Sequence, residues 1–312
     1  MTDLFWHKHL FTLMVLIVSV CSCSESDDTN PNIPNLDFNE TTTGQGLFEF
    51  NYQMGSFNKV MRIYYHIPEN KSASTPILFV FHGAGRNARD YRNALQSKAD
   101  QFGFIVITPE FSIQNFPSGD QYNLGNVFVD GDNPSPATLN PESEWTYSII
   151  EPLFDHVRAQ INNSNTTYDV FGHSAGAQFA HRFLMFKPNA RINKAVISAS
   201  GWYTFPNTSI VFPYGFKDSP LETLNLNSLF SKQIYVQVGA NDNNPNESGL
   251  RRNEMADAQG TNRKDRAINF FLFSEQLAQT NNLNFNWNFD IIENTDHNYI
   301  PASQNGADLI YN

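Results

Sequence analysis

The chain has 312 residues, 40% of them hydrophobic with 27 phenylalanines, and a formal net charge of −11. That supply of apolar side chains fills a sizeable core and argues against wholesale disorder, while the excess of 31 acidic over 20 basic side chains argues against a nucleic-acid partner. Both cysteines, Cys21 and Cys23, lie near the start, so the remainder of the chain holds no disulfide, cysteine metal site or thiol nucleophile.

Lys8, flanked by His7 and His9, precedes an apolar run over residues 10–20. The run is long enough for the hydrophobic region of a secretory signal and short for a membrane span. Val20-Cys21-Ser22-Cys23 resembles the lipobox of bacterial lipoproteins, where a small residue precedes the cysteine that is cleaved and acylated. Ser22 makes Cys23 the candidate for lipidation, because Val20 before Cys21 is a poor residue at a cleavage site. An ordinary secretory signal with incidental cysteines is the alternative. The acidic run over residues 24–28 resembles the signal that sends some Gram-negative lipoproteins to the outer cell surface. The Thr/Asn/Pro-rich stretch behind it cannot bury a core and reads as a flexible tether. The chain therefore divides into a lipoprotein signal peptide (1–22), a tether after the lipidated cysteine (23–40) and a folded domain (41–312). The expected location is the outer membrane, lipid-anchored at Cys23 and exposed at the cell surface.

In the domain, "LFEFNYQ" and "KVMRIYYHIP" flank Met54-Gly55-Ser56 and predict a β-hairpin. "PILFVFHGAG" is an apolar run closing in glycines, as for a buried central strand. "ARDYRNALQSKADQFG" has helical spacing and a terminal glycine; "FIVITPEF" is a second buried strand. Residues 112–141 lack periodicity and predict a loop. "SEWTYSIIEPLFDHVRAQI" predicts a helix with a kink or late start at Pro152. Then follow "TTYDVFG" (strand), "AGAQFAHRFLMF" (helix), "KAVISASG" and "KQIYVQVG" (strands), "DRAINFFLFSEQLAQT" (helix) and "NFNWNFDII" (strand). A hairpin followed by alternating strands and helices predicts an α/β fold: one mostly parallel sheet with helices on both faces. Ligands of such sheets bind outside the carboxyl ends of the strands, so polar residues that directly follow strands are the candidates.

Gly172-His173-Ser174-Ala175-Gly176 follows the strand "YDVF" and opens a helix. Ser174 could cap that helix or be a nucleophile on a tight strand-to-helix turn. Three small neighbours suit the second role, which a plain cap does not require. Asp242 in "VQVGAND" follows a later strand and can orient a histidine, the alternative being an Asx turn with its asparagine neighbours. Asp218 is a rival with no strand directly before it. His297 in "IIENTDHN" follows the last predicted strand and can act as base. The other histidines fit badly: His66 lies in the hairpin, His156 and His181 on helices, His173 inside the turn. His82-Gly83-Ala84-Gly85 ends the "ILFVF" strand. Its backbone N–H groups, Ala84 first and Gly83 next, could join that of Ala175 in an oxyanion site, or the glycines could serve only the turn.

With serine, acid and histidine in that chain order, the sequence resembles the α/β-hydrolase superfamily from about Leu47 to the C-terminus. "PILFVFHGAGRNARDYR" through "FIVITPEF" is similar to the poly(3-hydroxybutyrate) depolymerase and feruloyl esterase-like group. The resemblance implies Ser174 as nucleophile, His297 as base and Asp242 as orienting acid. Many extracellular members carry disulfides near the site; this chain has none.

The expected activity is hydrolysis, through an acyl-enzyme and with no metal or cofactor, of an extracellular small-molecule or polysaccharide ester such as an acylated polysaccharide or a hydroxyacid ester. Gly83, His173, Trp202 and Tyr203 are candidate substrate contacts. Phe128, Trp145 and Tyr147 could pack against a sugar or phenolic group, or belong to the core. Asp130 and Asp132 in "VDGDNP" read as a solvated turn in preference to a calcium site. The alternatives are a serine peptidase or acyltransferase on the same fold, or a surface glycan-binding lipoprotein without catalysis.

Overall fold

The computed structural model describes residues 38–55 and 57–312. The signal segment, Cys21, Cys23 and the tether as far as residue 37 lie outside the described residues. Phe38 falls in the stretch read as tether, yet it is buried and stacks on Phe48 at 4.2 Å. The packed body therefore includes residues ahead of position 41. Among the described residues no helix is long and apolar enough to cross a membrane.

The hairpin forms as β1 (Gly44–Met54) and β2 (Phe57–Ile67), paired antiparallel with Met54 opposite Phe57. Next come β3 (Ile77–Phe81), α1 (Ala88–Phe102) and β4 (Ile105–Pro109). In β3 the side chains alternate as a strand requires: Ile77, Phe79 and Phe81 enter one core, Leu78 and Val80 the other. Both faces are buried, which is why the segment reads as an unbroken apolar run rather than an alternating one. The expected loop over 112–141 holds only one helical turn of three residues, Pro136–Thr138.

The helix expected from residue 143 starts late, as α2 (Ile150–Ile161), behind a 3-10 turn at Thr146–Ile149. Pro152 is its third residue, where a missing N–H leaves no intrahelical bond unmade. The chain continues through β5 (Tyr168–His173), α3 (Ala175–Phe186), β6 (Ile192–Ser198), α4 (Leu226–Phe230) and β7 (Gln233–Gly239). It ends with α5 (Glu254–Asp257), α6 (Arg263–Thr280), β8 (Trp287–Ile292) and α7 (Tyr299–Tyr311). Sequence patterning had not identified α4, α5 or α7.

The sheet order is β1-β2-β4-β3-β5-β6-β7-β8, antiparallel at β1/β2 and β2/β4 and parallel from β4 to β8. Helices α1 and α7 cover one face, while α2, α3 and α6 lie against the other. After β3 the chain steps to β4 on one side and later returns to β5 on the other. The gap above β3 and β5 is thus the topological switch point, where such sheets open a crevice at their carboxyl ends. Both glycine-containing motifs leave the sheet there.

Candidate active site

Ser174 joins β5 to α3 with φ 58° and ψ −118°, a region that non-glycine residues rarely occupy. Such a backbone costs on the order of 1–3 kcal/mol and persists only where its surroundings enforce it. Here the enforcement is steric. A Cβ on Gly172 would lie 2.3 Å from the Gly176 carbonyl oxygen, and one on Gly176 would lie 1.9 Å from that of Phe81. Helix, strand and neighbouring strand approach so closely that both positions must be glycine. The Ser174 N–H donates to Ser198 O at 2.9 Å, tying the turn to β6.

Two loops from the far half of the sheet reach the serine. Asp242 follows β7 and His297 follows β8, and the loops are laced together by Asn241 N–H donating to Thr295 O at 2.8 Å. His297 Nε2 lies 3.0 Å from Ser174 Oγ, and its Nδ1 lies 2.7 Å from Asp242 Oδ2. An ionised carboxylate only accepts, so Nδ1–H donates to Asp242 and Nε2 faces the hydroxyl as acceptor. The Asp242 side chain is 4% exposed and that of His297 is 24%, so the acid is sealed while the imidazole edge reaches solvent. Asp218 sits elsewhere, its N–H bonded to Glu222 Oε1 at 2.7 Å.

The loop after β3 is held from below. His82 is buried, with Nδ1 2.9 Å from Gly83 O and Nε2 accepting from Phe111 N–H at 3.0 Å. Burial, foremost, holds its pKa down to about 3, so the ring is neutral with its proton on Nδ1. The Tyr122 hydroxyl donates to His82 O at 2.5 Å. This scaffold presents Ala84 at the surface beside Ser174 and Ala175. Ala175 is the first residue of α3, so its N–H is one of the helix's four orphan donors.

A cleft of about 270 Å³ opens over these groups. Ala84, Ser174, Ala175 and Gln178 line it together with Trp202, Arg251, Arg263, Asp120, Asn123 and Asp132. Arg251 forks onto Asp132 at 2.6 and 2.7 Å, bonds the Tyr214 hydroxyl at 3.0 Å and lies 4.8 Å from the Trp202 ring. Beneath, fully buried Arg182 lies 4.1 Å from the same ring and bonds Thr204 Oγ1, Asn123 O and Gln178 O.

Of the candidate substrate contacts, Trp202 lines the cleft but three do not. Tyr203 is fully buried and stacks on Phe270 at 4.4 Å, so its side chain belongs to the core. His173 is buried beneath the turn, bonded to the Tyr91 hydroxyl at 2.8 Å with its ring 4.6 Å from that of His297. Gly83 is buried behind Ser174. Phe128 packs on Phe212, Trp145 on Phe186 and Tyr147 on Phe179, all in the core. Asp130 makes an Asx turn to the N–H groups of Asp132 and Asn133. The cleft's arginines and amides were missed by sequence reasoning, because they lie in loops and helix ends without a motif.

A serine on a strained turn at the switch point of a doubly wound sheet, hydrogen-bonded in series to histidine and aspartate, defines the α/β-hydrolase class of serine hydrolases. The comparisons agree. Poly(aspartic acid) hydrolase-1 from Sphingomonas sp. KT-1 is 35% identical over 87% of this chain and 100% of its own, with a TM-score of 0.80. The chain belongs to the α/β-hydrolase superfamily and is a serine hydrolase. LpqC, a poly(3-hydroxybutyrate) depolymerase from Bordetella parapertussis, shares the fold at 24% identity, covering 90% of this chain and 95% of that one, with a TM-score of 0.78. FphF, a fluorophosphonate-binding serine hydrolase of Staphylococcus aureus, shares it at 14% identity, covering 86% and 99%, with a TM-score of 0.54. No family model and no curated protein matches the chain.

Proposed function

We propose that the protein is a carboxylic ester hydrolase that works through an acyl-enzyme on Ser174. The observation that carries this reading is the series Ser174 Oγ, His297 Nε2, His297 Nδ1, Asp242 Oδ2, at 3.0 and 2.7 Å. Nε2 takes the hydroxyl proton as Oγ attacks the ester carbonyl. Negative charge then develops on the carbonyl oxygen beside the N–H groups of Ala84 and Ala175. Asp242 holds the imidazolium, which returns its proton to the departing alcohol; water repeats the sequence to release the acid. With p-nitrophenyl acetate, Ser174→Ala is expected to remove turnover while the protein stays folded, since the turn accepts a methyl side chain. Full turnover in that variant would sink the reading.

A second reading is favoured by the arginines in the cleft and by likeness to poly(aspartic acid) hydrolase-1: amide hydrolysis in an acidic polymer. Comparing poly(aspartate) with acetylated xylan and hydroxybutyrate oligomers as substrates separates the two. We also propose that Cys23 anchors the protein to the outer membrane, with the catalytic body at the cell surface, which the lipobox-like sequence supports. Radiolabelled palmitate should enter the wild-type chain and not Cys23→Ala; equal labelling would refute the anchor.

A further inference from the structure

We propose that Arg263 is a positioning residue of this site, gripping the oxygen of Asp242 that His297 does not use. The inference rests on reading Ser174, His297 and Asp242 as the reacting series. Arg263 Nη1 lies 3.3 Å from Asp242 Oδ1, while Oδ2 is bonded to His297 Nδ1. The side chains of Arg263 and Asp242 are 6% and 4% exposed, so solvent does not screen the pair. Each carboxylate oxygen therefore has one charge-assisted partner, and the acid cannot rotate without breaking one.

Helix α6 makes the placement costly on its own terms. Arg263 and Lys264 are its first two residues, behind the Asn262 cap, where the helix dipole disfavours cations. A residue that contradicts its local setting marks a demand made by tertiary structure. The helix end is also fastened to the acid's loop. Lys264 N–H donates to Asp242 O at 3.0 Å, and Lys264 Nζ bonds Ala240 O at 3.1 Å. Arg263 is thus carried on the element that holds Asp242 in place.

The charge consequence follows from the groups around this cluster. From the end of β5, His173 faces His297 and Arg263; burial first, then those two groups, keeps it neutral. Tyr203 lies near Asp242 and stays un-ionised because of burial. Arg266, one turn further along α6, is paired with Asp257 at 3.1 Å, and Asp265 bonds the Asn262 cap. Arg263 and Asp242 therefore form a cation–anion pair beside the His297 ring. Protonating that ring takes the net charge from zero to plus one. Without Arg263 the same step runs from minus one to zero and is easier. Arg263 thus keeps the imidazole available as a base at lower pH and holds its acid partner in register.

The test is the pH dependence of kcat/KM for p-nitrophenyl acetate, measured on the full chain for wild type, Arg263→Gln and Arg263→Lys. For R263Q the acid limb should move to higher pH by about one unit, with kcat down about tenfold. R263K, which keeps the charge, should return the limb close to wild type. Should R263Q not fold by circular dichroism, Arg263→Met takes its place. A folded neutral variant whose limb is unmoved overturns the proposal, whether its defect lies in KM (a substrate contact) or in melting temperature and the fraction of Ser174 labelled by a fluorophosphonate (a structural prop). Ser174→Ala run alongside separates the failures. If it keeps turnover, the reading of the site has failed; if it is inactive and the limb still does not move, only Arg263 has been misjudged.

Discussion

The two walls of the cleft are built on different principles. The serine side is backbone packed on backbone: Gly172 against Gly176, Gly176 against Phe81, and Ser174 forced to a positive φ between them. The rest of the lining is assembled from polar side chains out of the 112–141 loop and the segment before α5, joined by Asp132 and Arg251. One wall tolerates almost no change in shape; the other can exchange partners without disturbing the sheet. The two parts differ in how they are held: close-packed backbone fixes Ser174, whereas exchangeable side-chain pairs hold the rest of the lining.

That contrast can be broken in several ways. The largest effects belong to the rigid wall and the series it serves. Ser174→Ala should lower kcat by about 10⁴-fold or more, and Asp242→Asn by about 10³–10⁴-fold through loss of the correct imidazole tautomer. A silent Asp242→Asn, with loss on Asp218→Asn instead, would move the acid to the other carboxylate.

The adaptable wall should respond more weakly and in a different parameter. Arg251→Ala is expected to raise KM roughly 3- to 10-fold with kcat within about twofold. Its ion pair with Asp132 is partly exposed, at 32% and 45%, and such pairs contribute about 0–1 kcal/mol, so the melting temperature should barely move. A loss of kcat with unchanged KM would mean that this wall also takes part in the chemistry.

A smaller and more gradual effect comes from acid. Three histidines under the serine wall, His82, His173 and His181, are fully buried, and burial above all lowers their pKa values, that of His82 to about 3. Unfolding lets each bind a proton below its ordinary value near 6.5, so the unfolded chain binds more protons than the native one. Stability should accordingly fall as pH drops below about 6.5, by about 1.4 kcal/mol per histidine per pH unit at most, and for His82 continue falling towards pH 3. Urea midpoints at pH 7.5, 6.5 and 5.5 check this; a flat midpoint would show that the histidines are not held neutral.

Much of the sheet was legible because its strands are bounded by glycine, proline and polar turns and its helices keep a 3.6-residue period. The C-terminal helix α7 was not legible, although Asn298 caps it, because Pro301 and Gly306 interrupt its helical pattern. Tyr203 was misplaced for a physical reason: "SGWYTFP" puts two aromatics side by side, and only packing sends Trp202 to the cleft and Tyr203 against Phe270. Phe128, Trp145 and Tyr147 went the same way, into the core.

By itself the sequence determined the alternation of strands and helices, the glycine turn that strains Ser174, and the chain order of serine, aspartate and histidine. These are local or ordinal properties, set by steric volume and hydrophobic period over a few residues. Only tertiary structure decided that the loops after β7 and β8 meet over the β5 turn, that Asp242 is shared between His297 and Arg263, and that Arg251 closes on Asp132. Those are contacts between side chains 21 to 123 positions apart. Their distances follow from sheet order and loop path, which no short stretch of sequence encodes.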